Sequence, residues 1–301
     1  MKIAFLGKFR DNQWGLEGII QRNIKNRKEF ICIDVNEYFP ERYFLESPNS
    51  ILVVLQGRGL DHSYLRRIKA KKILWNAEFW PYEGKEGNQE AAMRLDLVEP
   101  LESYDLILNG CPLSTKFLKE KRGLNIEWFP MIGIDPTYHR DLKLDKIIDI
   151  GFYGAPSPRR IKIWNDLIKL AKQNSYNPLN LVWKQAYGEG LIQFINQTKV
   201  MLNLHYADLL NTESRIYEVL GCGGFCLSEP ISLQGRFLDG LHFEGEETER
   251  MAQRAINIRN YEESTIKRIA QNGYEYVHDE FNISEVLNQL IVAGELLLNG
   301  N

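Results

Sequence analysis

HYADLLNTESRIYEVLGCGGFCLSE, residues His205 to Glu229, holds a strand end, a polar loop, a short helix and the start of a second strand in one continuous run. Val200, Leu202 and Leu204 alternate with other residues just before it, as in a strand. Asn211 or Thr212 is expected to cap the helix, with Glu213 and Ser214 in its first turn. Arg215 and Glu218 then share one face, while Ile216, Val219 and Leu220 face a core. Glycines at Gly221, Gly223 and Gly224 end the helix before the apolar run that begins at Phe225.

The same grammar extends in both directions. Towards the N-terminus of the second half come strand Ile147–Tyr153, helix Pro158–Gln173, a strand near Leu181–Trp183 and helix Gly190–Gln197. In the first half, apolar runs recur at Ile3–Leu6, Phe30–Val35, Ile51–Leu55, Ile73–Trp75, Leu106–Leu108 and Ile126–Phe129. Runs of this length, spaced widely enough for crossover helices, predict buried parallel strands and two tandem Rossmann-like units. The charged run from His139 to Lys146 is read as the linker. Domains are therefore expected at 1–143 and 144–281, with a final helix over 282–301 that returns to the first domain.

Composition narrows the function classes. The chain has 301 residues, 44% hydrophobic and 26% charged, enough for two cores. Its 37 Lys and Arg against 40 acids give no reason to expect nucleic acid. Cys32, Cys111, Cys222 and Cys226 lack the spacing of a zinc site and suit free thiols in a reducing compartment. No apolar run approaches the ~20 residues of a membrane span, and MKIAFLGKF reads as a strand, so a cytoplasmic protein is expected.

Ligands of open α/β sheets bind beyond the carboxyl ends of the strands, which ranks the loops. The loop Gly7–Gly15 follows the first strand and contains Asp11; its glycines do not have dinucleotide-fingerprint spacing. Trp75-Asn76-Ala77-Glu78-Phe79-Trp80-Pro81 follows another strand. Glu78, an acid among aromatics, is a candidate base or hydroxyl acceptor, while Trp75 and Phe79 are read as core. Asp11 and Glu78 are the candidates for activating an acceptor.

In the second half, Ser157 is placed to cap a helix whose first position is Pro158. Arg159 and Arg160 then stand in the first turn, where the helix dipole disfavours cations by ~0.3–1 kcal/mol each unless an anion is present. They are candidates for a diphosphate clamp; the alternative is a solvent-facing pair or a partner such as Asp166. A second phosphate-ready helix start lies at Asn211–Ser214, and Glu218 is suited to accept ribose hydroxyls. The alternative for Arg215 and Glu218 is a surface ion pair. Between the two helix starts, Lys184-Gln185-Ala186-Tyr187-Gly188-Glu189 is a loop fit to hold a base, and His205 ends a strand at the same edge.

Taken together, Ile150-Gly151-Phe152-Tyr153-Gly154 with Pro158-Arg159-Arg160, Tyr187-Gly188, Arg215-Ile216-Tyr217-Glu218 with Gly221-Cys222-Gly223-Gly224, and the Gly273-containing tail resemble the CgeB-like (spore maturation protein) glycosyltransferases. That family belongs with the GT-B enzymes related to glycosyltransferase families 1 and 4. The resemblance runs over most of residues 147–280; Tyr104–Leu108 and Trp128–Pro136 match more loosely.

The resemblance implies α/β GT-B architecture, two Rossmann-like domains facing across a cleft. The second would hold a nucleoside-diphosphate sugar of UDP or GDP type, and the first an acceptor. It implies ribose contact by Glu218, diphosphate contact by Arg159 or Arg160, and phosphate or sugar contact by Thr212–Ser214, with Gly154, Lys184, Tyr187 and His205 lining the donor site. It also implies no metal and no cofactor, and hexosyl transfer with retention to a hydroxyl of a glycan, a lipid-linked saccharide or a small molecule. One departure stands out: many retaining relatives carry an acid eight positions before the ribose-binding one, and here that position is Leu210. The competing readings are a nucleotide-sugar-binding or coat-associated protein without transferase activity, and a sugar-nucleotide epimerase.

Overall fold

A computed structural model of the chain describes residues 1–10, 14–36, 47, 49–57, 60, 62–173, 179–233 and 236–300. Contacts divide the chain into unit 1, Met1–Gly133 with Ile283–Asn301, and unit 2, Ile134–Asn282.

Unit 1 is a parallel sheet. Its elements are β1 (Lys2–Gly7), α1 (Leu16–Ile24), β2 (Phe30–Asp34), β3 (Ser50–Leu55), α2 (His62–Arg67), β4 (Lys71–Asn76), α3 (Gln89–Asp96), β5 (Leu106–Asn109), α4 (Pro112–Arg122) and β6 (Ile126–Trp128). The strand order is β2-β1-β3-β4-β5-β6. Every residue of β3 and β5 is buried, as expected of strands covered on both faces, and this produces their unbroken apolar runs. Helix ends follow local chemistry: the Asn88 side chain accepts from the Ala91 N–H at 3.0 Å at the start of α3. Pro112 opens α4, and Gly123 in the left-handed region ends it.

Unit 2 repeats the pattern. β7 (Ile148–Tyr153), α5 (Pro158–Gln173), β8 (Leu181–Lys184), α6 (Gly188–Asn196), β9 (Thr198–Asn203), α7 (Ser214–Gly221), β10 (Cys226–Ser228), β11 (Glu244–Gly245), α8 (Met251–Asn257) and α9 (Glu263–Glu280) follow in order. The strands run parallel in the order β11-β10-β9-β7-β8. In both sheets the first strand lies between the second and the third, so connections leave it in opposite directions. The topological switch point of unit 2 is between β7 and β9. Ile150, Phe152, Val200, Leu202 and Leu204 meet Ile163, Trp164 and Leu167 of α5 and Met251 and Ala255 of α8 in one core.

The expected strands are present, with β11 additional; two residues long, it has no apolar run to betray it. The division between units falls at Gly133 rather than within the charged run 139–146. His139 belongs to unit 2, where it is buried and accepts a hydrogen bond on Nδ1 from the Asp135 N–H at 3.1 Å. The final helix, α10 (Ile283–Leu298), packs on α1 and β4 of unit 1.

Gly273, in the middle of α9, marks a tight contact in unit 2. A Cβ there would collide with the His242 carbonyl oxygen and come within 2.8 Å of Leu220 Cδ2. Gly→Ala in an open helix gains ~1 kcal/mol. Gly273→Ala is expected instead to cost about 1–3 kcal/mol, because a backbone atom has to move. Thermal denaturation checks it, and a variant as stable as the wild type would contradict this contact.

Candidate functional site

The carboxyl ends of β7 and β9 bring the site together. Gly154 follows β7 at φ 134°, and a Cβ there would lie 2.7 Å from Arg215 Nη2 and 3.4 Å from Arg160 Nη1. Absence of a side chain at 154 is what admits the Arg215 guanidinium, while Arg160 stands at ordinary contact distance. Arg160 donates from Nε and Nη2 to the Leu204 carbonyl at 3.0 and 2.7 Å and from Nη1 to the Ala155 carbonyl at 3.0 Å. Arg215 donates from Nε to the Tyr153 carbonyl at 2.9 Å, and from Nη1 to Asn203 Oδ1 at 3.1 Å and the Leu204 carbonyl at 3.2 Å. Both lie beside Phe152, their guanidinium carbons 5.3 and 4.8 Å from its ring centroid.

Two like charges thus sit together, 3% and 6% exposed, sharing one carbonyl acceptor. Burial and then the field of Arg215 push the Arg160 pKa down to about 10. A carboxylate at 3.7 Å from Arg160 Nη2 is Glu213, which also accepts from the Tyr206 N–H at 3.1 Å. Burial alone would raise Glu213; His205, Arg215 and Arg160 together hold it down to about 2, so it is an anion here. Among the described residues Arg215 Nη2 donates no hydrogen bond. Two guanidiniums around one open backbone position, with a donor to spare, are arranged as an anion would require.

Glu218 extends this site along α7. It is half-buried, and its Oε2 accepts a hydrogen bond from the Tyr153 hydroxyl at 2.6 Å. Burial raises its pKa, and the Tyr153 hydroxyl and Arg215 work against that rise. No side chain caps α7; the Ile216 N–H donates to the Glu213 carbonyl at 3.2 Å, which leaves the N–H groups of Ser214 and Arg215 to water or a ligand.

The expected cap at Asn211 or Thr212 is corrected: α7 starts at Ser214 and its N-cap is Glu213. Thr212 Oγ1 instead lies 3.0 Å from Ser232 Oγ and accepts from the Leu233 N–H at 3.1 Å, fastening the loop to the segment after β10. Asn211 is also buried, its carbonyl accepting from the Ser232 N–H at 3.4 Å. Ser214 is exposed in the first turn.

The two arginines of α5 part company. Ser157 does cap the helix, accepting from the Arg160 N–H at 3.3 Å, and Pro158 does open it. Arg160 joins the anion site. Arg159, expected as an alternative diphosphate ligand, forms a two-pronged ion pair with Glu229 and donates to Thr248 Oγ1 at 2.6 Å. Glu229, 0% exposed, accepts in addition from the His205 N–H at 2.6 Å and the Thr248 hydroxyl at 2.5 Å. His205 is 4% exposed, with Nε2 2.7 Å from the Pro230 carbonyl; since a carbonyl only accepts, Nε2 is the donor of that contact. Lys184 is exposed, its Nζ 4.2 Å from the Phe194 ring centroid, and Tyr187 is 72% exposed at the start of α6.

Tyr153, Asn203, Glu229 and Thr248 were not singled out from the sequence. A signal for Glu229 was there: it stands one residue past β10, just as Gly154 stands one past β7. In unit 1, Glu78 is not an acid surrounded only by aromatics. It pairs with Arg94, whose guanidinium stacks 4.3 Å from the Phe79 ring centroid and donates to Glu90 at 2.9 Å. Asp11 lies outside the described residues. Among the described residues, no helix is long and apolar enough to cross a membrane, and no group of three or more His, Cys, Asp or Glu is placed to hold a metal ion.

Residues 152–292, from β7 into the final helix, match the family described as "Glycosyl transferase-like". No curated protein matches the chain. Among solved structures, a sucrose-phosphate synthase from Thermosynechococcus elongatus is similar over 100% of both chains, with TM-score 0.71 and 11% identity. Anabaena Alr3699/HepE, solved in complex with UDP, is similar over 97% of this chain and 99% of its own, with TM-score 0.62 and 10% identity. The pneumococcal O-GlcNAc transferase GtfA, in complex with UDP and GlcNAc, covers 84% of this chain and 57% of its own, with TM-score 0.59 and 13% identity. At such identities the likeness shows the fold: two parallel-sheet α/β domains of the GT-B class.

Proposed function

We propose that the chain is a glycosyltransferase that takes a hexose from a nucleoside-diphosphate sugar, of UDP or GDP type, and passes it to an acceptor hydroxyl. The observation that carries this reading is the pair of buried guanidiniums of Arg160 and Arg215 around Gly154, with Glu218 on the same helix face as Arg215. In it, Arg215 and the uncapped start of α7 receive the diphosphate, Arg160 supplies the field behind them, and Glu218 receives the ribose hydroxyls. Fixed positive charge at the departing diphosphate stabilises the transition state without a metal. The exposed Tyr187 ring, at the start of α6, offers a surface for the base. Similar structures solved with UDP, and the family match over the segment holding this site, support the donor class.

Retention at the anomeric carbon rests on the CgeB-like motif resemblance alone, and the acceptor is read as a glycan, a lipid-linked saccharide or a small molecule. Four free cysteines, three of them buried, suit a cytoplasmic setting. The test is a set of UDP- and GDP-hexoses offered to the wild-type chain, with melting temperature and release of free nucleoside diphosphate as readouts. A ligand at 100 times its Kd is expected to add about 2.7 kcal/mol to the native state. Nucleotide sugars that neither stabilise the protein nor are consumed would overturn the reading; binding without turnover would leave a binding module, and an epimerised sugar would make it an epimerase.

A further inference from the structure

We infer that Tyr153 is a positioning residue that sets the two donor-binding groups of α7 at once, Glu218 through its hydroxyl and Arg215 through its carbonyl and ring. The inference rests on the donor-site reading above. Tyr153 is the last residue of β7, immediately before the open Gly154. Its hydroxyl donates to Glu218 Oε2 at 2.6 Å and its carbonyl accepts from Arg215 Nε at 2.9 Å. The Arg215 guanidinium carbon lies 5.1 Å from its ring centroid. Arg215 and Glu218, one helical turn apart, are therefore both referred to the same strand residue.

The hydroxyl has a directional task. Burial, and then the field of Glu218, hold the Tyr153 pKa well above the ordinary tyrosine value, so the phenol keeps its proton and is the donor. Burial pushes Glu218 up, and the donated hydrogen bond pulls it down towards the ionised form needed to accept a vicinal diol. One carboxylate oxygen is fixed in this way. Among the described residues no donor occupies Oε1, which leaves it for a ribose hydroxyl. A phenylalanine at this position would keep the strand, the carbonyl and the ring beside Arg215 and lose only the control of Glu218.

The discriminating experiment compares ribose with its dideoxy analogue. UDP and GDP, each also as the 2′,3′-dideoxy form, are titrated calorimetrically into wild type, Tyr153→Phe, Glu218→Gln and the double variant between pH 5 and 8. Tyr153→Phe is expected to weaken the ribonucleotide about tenfold, as fits loss of a hydrogen bond to a charged group, and to leave the dideoxy affinity of the wild type unchanged. The pH at which the ribose-dependent part of the affinity is half developed should rise in Tyr153→Phe. In the Glu218→Gln background the Tyr153 substitution should add nothing further. Equal losses on both nucleotides would reduce Tyr153 to packing and overturn the inference, as would unchanged ribonucleotide affinity. A wild type that binds neither UDP nor GDP would fail earlier, at the donor-site reading itself.

Discussion

Arg215→Ala is expected to lower affinity for the nucleoside diphosphate by at least about 100-fold, on the order of 3 kcal/mol, the range seen when one partner of a buried charge contact is truncated. The reason is where its donors go. Nε and Nη1 are committed to Tyr153, Asn203 and Leu204, which fix the guanidinium plane, while Nη2 lies beside Gly154 and donates no hydrogen bond among the described residues. An anion at Gly154 meets a pre-oriented donor with no rotamer search. Deletion also strips the Tyr153 carbonyl and Asn203 Oδ1 of a donor, at about 1–3 kcal/mol each, partly offset because Arg160 loses a like-charged neighbour. Binding is therefore to be measured by calorimetry on variants shown to be folded by circular dichroism. Arg215→Lys should recover the charge but not the planar fork, and fall between the two. A folded Arg215→Ala protein that binds the nucleotide as well as the wild type would remove the anion site from Gly154.

The second large effect is one of stability. Arg159→Ala leaves Glu229, 0% exposed, without its guanidinium and is expected to destabilise unit 2 by about 3–5 kcal/mol at pH 7. Joint replacement, Arg159→Met with Glu229→Leu, should cost far less, because desolvation of both charges is then avoided. The pH dependence fixes the cause. In the wild type, burial would raise Glu229, but Arg159, His205 and Thr248 outweigh it and hold its pKa below the ordinary glutamate value of 4.5. A depressed folded pKa means stability that is present above that ordinary value and lost as pH falls through the folded one. In Arg159→Ala the carboxylate is buried and far less compensated, so its pKa should move the other way. The deficit against wild type is then largest at neutral pH and shrinks on acidification. Urea denaturation at pH 7 and pH 5 reads this directly; a deficit that does not depend on pH would place the cost in packing.

That pair also shows where sequence reasoning stopped. The parallel strands were legible because strands such as Ile51–Leu55 and Leu106–Leu108, buried on both faces, must be apolar throughout, and no distant information is needed to see it. Ser157 and Pro158 were legible for a similar reason, since capping is decided within a few residues. Arg159 was found as a first-turn cation, but its partner is 70 positions away at the end of another strand, and no local pattern distinguishes an arginine committed to Glu229 from one left for a ligand. Glu78 carried the same difficulty, as Arg94 comes from α3, a helix with no strong apolar stripe. The two expected caps, Asn211 and Thr212, are instead bonded to the 232–233 segment, and the helix starts later, at Ser214.

The return of α10 to unit 1 has a consequence for the order of synthesis. Val286, Leu287 and Leu290 are buried, and Ile283 fills the space left by Gly133, as Ile51 meets Gly294. Strands β1 to β6 leave the ribosome first, yet the helix that covers part of them follows only after all of unit 2. At roughly 5–20 residues per second, that interval is on the order of ten seconds. During it unit 1 holds an uncovered apolar strip while unit 2, whose residues are contiguous, has everything it needs to close. Unit 1 is thus begun before unit 2 and completed after it.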